Sequence, residues 1–400
     1  MIRHETTERT ELEELLGEGL DAAVRRESET FERLAPFGTR IVLFGAGGLG
    51  RRVLAGLRGY GIEPLAFCDN NQRLWGAAVD GLSVLSPQDA VRSFGDSASF
   101  VVTVWGALGK DRMRDRLAQL RVLGCLSALP FLPLAWRYPA GVLPHYGADL
   151  PRHVHEAADD VRAAFDLWSD DASRAEYVAQ VRWRLLGDFD ALTPPADQPI
   201  YFPRDLCDLG SDEVFVDCGA FDGDTVRLFA READAKFKKI FAFEPDPASF
   251  EKLVATLRDL PGARADNVAA FRCATGARNE RLRFIASGTA MSALGDGDLE
   301  VDARTLDDVL GDAKPTYVKM DIEGSEPDAL AGARSIVAEH SPVLAISCYH
   351  RQDHLWQIPL QIAALNPSYR FHLRPHDLEM WDLICYAIPL GRHGAHDDAG

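Results

Sequence analysis

Residues 214–225 read VFVDCGAFDGDT. An apolar run ending in Asp217 predicts a buried strand, and Gly219 and Gly223 predict a tight turn from that strand into a helix. In an open α/β sheet such a turn lies at the carboxyl ends of the strands, where ligands bind. Glycine there allows positive φ and a close approach of backbone to ligand. Asp217, Asp222 and Asp224 crowd this turn with carboxylates. A phosphate would be repelled, at a cost on the order of several kcal/mol in a partly desolvated cleft, whereas a cationic ligand would be favoured. The alternative is that these acids cap the following helix, where negative charge is stabilising in any case.

Working outward, KIFAFE, VAAFRC, TYVKMD and VLAISCY follow as strand runs separated by helical stretches, and YRFHLR and DLICYAIP close the series around a polar turn. That alternation predicts a mostly parallel sheet with an antiparallel pair at its end. The first half repeats the pattern on a smaller scale with IVLF, the glycine turn GAGGLG, LAFCD and SFVVTVW. The fold class is therefore α/β with two Rossmann-like domains. The expected organisation is a helical segment over 1–36, a Rossmann-like domain over 37–145, a helical linker over 146–200, a second α/β domain over 201–390 and a polar, disordered tail over 391–400. The proline-rich TPPADQPIYFP (193–203) marks the entry to the second domain. Leu12, Leu15, Leu16 and Leu20 form a helical stripe that packs on the next domain or makes a homodimer seam.

The chain has 400 residues, 43 Lys and Arg against 61 Asp and Glu, and a net charge of −18. That balance argues against nucleic acid or an anionic membrane surface as main partner. The longest apolar run, CLSALPFLPLAW, carries two prolines and is too short to span a bilayer. The charged N-terminus lacks the apolar core of a secretory signal. Seven cysteines, an odd number with no C-x-x-C pair, fit buried thiols in a reducing cytoplasm.

The two glycine turns differ in charge. Gly45, Gly47, Gly48 and Gly50 fit G-x-G-x-x-G with no acid, followed by Arg51 and Arg52, and Asp69 ends the next strand. A nucleotide, dinucleotide or phosphate handle is expected there, with a purely structural turn as the alternative. The acidic second turn suits S-adenosylmethionine, which carries an ammonium and a sulfonium against one carboxylate. Asp217 would reach the ammonium through water or backbone, and Gly219, Ala220, Gly223 and Thr225 would lie along the methionine moiety. Glu244, followed by Pro245, ends the next strand, where an acid can accept from both ribose hydroxyls.

Further candidates lie downstream. Lys319, Asp321 and Glu323 alternate at a strand end and would share one face. Acids there would orient a hydroxyl, act as base or hold a divalent ion; a structural pair of Lys319 with Asp321 or Glu323 is the alternative. Ser325 and Asp328 read as a capping box with Pro327 in the first helical turn. Tyr349, His350 and His354 emerge after the next strand, and His350 is the expected general base. The i, i+4 histidine pair lacks an H-E-x-x-H context, and no metal centre is expected. The small-residue stretch 288–294, with Ser292, would close over a ligand, and Trp356 reads as core.

Taken in order, VFVDCGAFDGDT, FAFEPDP, RTLDDVL and VKMDIEGSEPDALAGA resemble the FkbM family of S-adenosylmethionine-dependent methyltransferases over about 201–389. The resemblance implies a class I methyltransferase sheet and methyl transfer to a hydroxyl oxygen of a sugar, polyketide or other small specialised metabolite. It also implies a cofactor turn at Asp217, Gly219 and Gly223, a ribose acid at Glu244 and a site-lining acid at Asp321. Asn267, Cys273 and Ala274 would meet the adenine. GAGGLG, FCDNN and DGLSVLS are similar to the Rossmann-like domains that precede sugar acyltransferases, which implies a nucleotide-sugar. Competing readings are an NAD(P)- or nucleotide-sugar-binding protein whose main site is the first turn, and a non-catalytic scaffold.

Overall fold

The computed structural model describes residues 7–106, 111–285, 293–294, 297 and 299–392; Ser292 and the tail after Arg392 lie outside them. The chain forms two compact units. One collects the chain up to Val161, Ala175–Pro194 and Asp377–Trp381; the other collects Arg162–Arg174, Pro195–His376 and the chain from Asp382 onward.

In the first unit the N-terminal segment is two helices, Thr7–Gly17 and Leu20–Leu34, broken at Gly19 with φ +83°. Leu12, Leu15 and Leu16 are buried, whereas Leu20 is exposed. Strands β1 (Ile41–Phe44), β2 (Ala66–Cys68), β3 (Ala78–Val79), β4 (Leu82–Leu85), β5 (Ser99–Val102) and β6 (Ala128–Pro130) form a sheet ordered β3-β4-β2-β1-β5-β6. All pairs are parallel except β3 with β4. β1 and β5 are buried throughout, as the apolar runs IVLF and SFVV require.

The second unit is built on β7 (Val214–Cys218), β8 (Lys239–Phe243), β9 (Val268–Phe271), β10 (Ala274–Thr275), β11 (Glu280–Ile285), β12 (Ala293–Leu294), β13 (Leu299–Arg304), β14 (Tyr317–Met320), β15 (Val343–Ser347), β16 (Tyr369–Pro375) and β17 (Leu383–Pro389). Its main sheet is ordered β16-β17-β15-β14-β7-β8-β9, with β17 antiparallel to both neighbours. Chain direction reverses its outward march between β7 and β14, so the ligand crevice falls at their carboxyl ends. Phe202, Phe215, Phe229 and Tyr317 pack beneath that crevice, Phe215 and Phe229 stacked at 4.3 Å. Each such side chain contributes about 1.5–3 kcal/mol by leaving water. A second sheet, β10-β13-β11-β12, was not expected from the sequence.

The segment 146–200 is not a separate linker. Residues 162–174 cover the edge strand β16: Ser169 N donates to Phe371 O at 2.8 Å, and the Ser169 and Ser173 hydroxyls accept from Phe371 N and Leu373 N. This covering meets the open hydrogen bonds of an edge strand. Asp170 completes it with 2.7 Å contacts to His372 and Arg374; burial pushes its carboxyl up, but these partners outweigh that and hold it well below the usual range.

His376 sets one pH limit of this unit. Burial presses its imidazole down to about 4, and its Nε2 lies 2.8 Å from the Tyr386 hydroxyl. The unfolded chain, titrating near 6.5, binds more protons between those values, so this group removes stability as pH falls from about 6.5 to 4. A His376→Gln variant is expected to lose less thermal stability over that interval than the unsubstituted chain; scanning calorimetry at pH 7, 5.5 and 4.5 checks it, and parallel slopes would refute it.

Candidate functional site

The carboxyl edge of β7, β14 and β8 is built around one turn. Gly219 has φ +79°, and a Cβ there would stand 2.0 Å from the Asp321 carbonyl oxygen. The loop after β14 thus packs directly on the glycine turn. The Gly219 and Ala220 amides both donate to Phe243 O at 3.0 and 2.9 Å, tying the turn to β8. Ala220 is buried, and Gly223 N closes the turn on Ala220 O at 2.7 Å. Gly223, φ +86°, precedes the helix Asp224–Glu232, in whose first turn Asp224 Oδ1 accepts from Thr225 N. Asp222 pairs with Arg227 at the surface.

Asp217 departs from its expected role. It is fully buried, and Oδ1 lies 3.0 Å from Lys319 Nζ. The register of β7 with β14 sets Asp217 beside Lys319, so the two meet inside the sheet. The carboxylate is thus held inside the sheet by that cation rather than exposed at the ligand edge. Burial pushes the Asp217 carboxyl up to about 6 against the pull of Lys319. Burial works against charge on Lys319 too, but Asp217, Asp321 and Asp224 outweigh it and hold the ammonium above its ordinary value. Nζ also donates to Gly219 O at 2.7 Å. Lys319 is therefore an anchor for the turn, not a proton acceptor, and it pairs with neither Asp321 nor Glu323 as the alternation suggested.

Glu244 stands at the end of β8 with Oε2 accepting from Phe221 N at 2.9 Å and Oε1 from Asp246 N at 2.8 Å. Each oxygen keeps a second lone pair for a ligand hydroxyl. Burial raises this carboxyl while the two amides lower it, with burial ahead. Half-buried Pro245 follows it. Cys273 and Ala274 follow β9 at its carboxyl end, on the same edge. Asn267 does not: it precedes β9, at the opposite edge, where its side chain accepts from Arg264 N and donates to Gly262 O. A contact with a cofactor on the carboxyl edge is excluded by that placement.

Asp321 is the first residue beyond β14. Its Oδ2 accepts from the Tyr201 hydroxyl at 2.8 Å, and its Oδ1 lies 3.4 Å from the Tyr349 hydroxyl and 3.3 Å from His350 Nε2. The other face of His350 meets Glu326: Nδ1 to Oε1 is 2.9 Å. Glu323 lies 4.0 Å from Nε2. Burial lowers the affinity of His350 for a proton, but Glu326, Asp321 and Glu323 outweigh it and carry the imidazole up to about 10. A ring with carboxylates at both nitrogens holds both protons near neutral pH and has no lone pair to offer. This geometry favours a protonated, positioning ring at His350 over the expected general base. Glu326 is held down to about 2, burial opposing and His350 prevailing, and it also faces His354 Nδ1 at 3.3 Å. Trp356 is core.

Glu326 and Tyr201 escaped the sequence reading. The capping box hid the first: Ser325 makes no side-chain cap, and Glu326 instead accepts from Ile322 N at 2.8 Å. Glu323, at φ +54°, breaks the alternation that would have put it on one face with Lys319 and Asp321.

In the first unit Gly45 takes φ +118°, and a Cβ on Gly50 would stand 1.9 Å from Gly45 O, which accounts for both as close-packing positions. Gly47 and Gly48 have open space. Asp69 accepts from Ala46 N at 2.8 Å and so occupies the turn itself. Arg51 is bound bidentately by Asp80 at 2.7 and 3.0 Å, and Arg52 donates to Val142 O and Pro144 O. The expected phosphate site thus has its two cations committed elsewhere and a carboxylate at its mouth.

All seven cysteines are buried thiols, and no helix among the described residues is long and apolar enough to cross a membrane. The methyltransferase FkbM domain matches residues 217–385. A solved structure of methyltransferase FkbM from Methylobacillus flagellatus KT is similar at 25% identity and a TM-score of 0.78, over 94% of this chain and 99% of that one. Precorrin-6y C5,15-methyltransferase from Geobacter metallireducens GS-15 aligns over 45% of this chain and 82% of its own at 14% identity and a TM-score of 0.29. No curated protein matches. Residues 217–385 are a methyltransferase FkbM domain, which supports methyl transfer as the activity of this chain.

Proposed function

We propose that this methyltransferase uses S-adenosylmethionine and delivers the methyl group to a hydroxyl oxygen of a small acceptor, a sugar or other specialised metabolite. The observation that carries the reading is the acid-lined carboxyl edge, where Asp321, one quarter exposed, sits against the positive-φ glycine turn with Glu244 on the neighbouring strand. The cofactor would supply a methyl group on a sulfonium. Glu244 would accept from the ribose hydroxyls, and the Gly219–Gly223 turn would lie along the amino-acid end. Asp321, fixed by two tyrosine hydroxyls and His350, would accept a hydrogen bond from the acceptor hydroxyl and set its direction of attack. Holding both partners in line supplies a large part of the rate in such transfers.

The test is calorimetry with S-adenosylmethionine and S-adenosylhomocysteine, then mass spectrometry of products from a panel of hydroxylated acceptors. Saturable binding and a product heavier by one methyl on oxygen are expected. Glu244→Gln should weaken cofactor binding at least about tenfold, or about 1.4 kcal/mol. Unchanged affinity removes Glu244 as the ribose acid. Binding with no turnover on any acceptor favours the scaffold reading, and a product methylated on nitrogen or carbon overturns the oxygen assignment.

A further inference from the structure

The cluster that keeps His350 from acting as a base has the composition of a metal site. Asp321, Glu326 and His350 each offer a donor atom, and these atoms all lie within 4.8 Å of one another. Glu323 lies beside that group, 4.0 Å from His350 Nε2, and His354 lies 3.3 Å from Glu326. Three carboxylates and two imidazoles meet here, while the neighbouring ammonium of Lys319 is paired with Asp217.

An imidazole binds a metal through one nitrogen, and in protein sites the other is usually held by a carboxylate that orients the ring. His350 is arranged in that way. Nδ1 faces Glu326, whose side chain is wholly buried, at 2.9 Å. Nε2 faces Asp321 Oδ1 at 3.3 Å and Glu323 Oε1 at 4.0 Å, and these two side chains are 25% and 19% exposed. An ion about 2.0–2.2 Å from each donor accommodates donor separations of roughly 3–4.4 Å, which covers the distances from Nε2 to Asp321 and to Glu323. The ring is thus anchored on its buried side and faces two carboxylates on its open side.

We propose that the chain binds one divalent transition-metal cation on His350 Nε2, Asp321 and Glu323, with Glu326 orienting the imidazole through Nδ1. Two carboxylates with one imidazole suit Mn²⁺, Fe²⁺ or Zn²⁺. On binding, the Nε2 proton leaves to solvent and no electron moves. The remaining coordination positions open on the carboxyl edge, where water or an acceptor hydroxyl would complete the set. That last role rests on the oxygen-transfer reading; the binding of the ion does not.

The experiment uses the full chain, stripped with a chelator and titrated with MnCl₂, with free Mn²⁺ followed by electron paramagnetic resonance. One saturable equivalent is expected. His350→Ala and Glu323→Gln should weaken it at least tenfold, and Glu326→Gln, which touches the ion only through the ring, by about 10–100-fold. Glu323→Gln should keep the circular dichroism spectrum and S-adenosylhomocysteine affinity of the unsubstituted chain, which separates metal loss from misfolding. Absence of saturable Mn²⁺ binding, or equal binding in the unsubstituted chain, Glu323→Gln and His350→Ala, overturns the proposal. Mn²⁺ bound without methyl transfer to any hydroxyl refutes the function alone; methyl transfer by a chain that binds no Mn²⁺ refutes the metal site alone.

Discussion

Lys319→Met is expected to destabilise the methyltransferase unit by about 3–5 kcal/mol, the cost of leaving one partner of a buried ion pair alone. The substitution removes the cation paired with Asp217 Oδ1 and leaves a carboxylate with no exposure. It also removes the donor that holds Gly219 O at 2.7 Å, so cofactor affinity should fall with stability. Against a total of about 5–15 kcal/mol for a typical domain, such a loss is large. The pH dependence identifies the cause. Asp217 already sits up at about 6 with Lys319 present, and removing the cation raises it further. A carboxyl whose folded pKa exceeds its unfolded value destabilises as pH rises through that interval. The penalty in Lys319→Met should therefore be greatest at neutral and alkaline pH and shrink toward pH 5. The double variant Asp217→Asn, Lys319→Met should recover most of the loss, because no uncompensated charge remains. Urea denaturation of the set at pH 5 and pH 8 decides it. A Lys319→Met loss below about 1 kcal/mol, or no recovery in the double variant, would falsify the buried-pair account.

That pair shows why part of the site was invisible in the sequence. VFVD and TYVKMD each announce a buried strand ending at an acidic edge, and their places in the sheet follow from alternation with helices. Which face of each strand meets the other does not. Asp217 and Lys319 are neighbours only through the β7–β14 register, so the acid assigned to a ligand proved to be the partner of a lysine a hundred residues away. His350 was misjudged for a related reason. An isolated histidine titrates near neutrality and reads as a base; Glu326, Asp321 and Glu323 favour its protonated form. Glu326 is an ordinary helix-start acid until the left-handed Glu323 and Gly324 turn the chain back toward His350. The turn glycines, Glu244 and Asp321 were legible because their strand-end positions alone place them on one edge. Asn267 was assigned to the wrong end of β9 because nearness to a strand does not say which terminus. In β11 and β13 the alternation was present, with buried Phe284, Val301 and Ala303 between charged neighbours, but the strands are too polar to register as apolar runs.

Gly219→Ala should be the most damaging single methyl in the acidic glycine turn. Its φ of +79° is left-handed, which costs a non-glycine residue about 1–2 kcal/mol before any contact is counted. The new Cβ would stand 2.0 Å from a backbone oxygen, Asp321 O, and 3.1 Å from Ile322 Cγ2. No rotamer relieves a clash with backbone, so either the turn or the loop after β14 must move. Both outcomes hurt the site: the first breaks the Phe243 O anchors of Gly219 and Ala220, and the second displaces Asp321 from Tyr201. A loss of at least about 3 kcal/mol in stability, with cofactor affinity lowered 100-fold or more, is the expected result. Gly223→Ala should be milder, because its Cβ meets the Thr256 methyl at 2.7 Å and a side chain can yield. Gly47→Ala in the first unit, with φ −80° and nothing within 4 Å, should be nearly silent. The order Gly219, Gly223, Gly47 in thermal shift is a direct reading of backbone geometry. Equal shifts for Gly219→Ala and Gly47→Ala would mean that the loop after β14 does not rest on the glycine turn, and the role proposed for Asp321 toward the acceptor hydroxyl would fall with it.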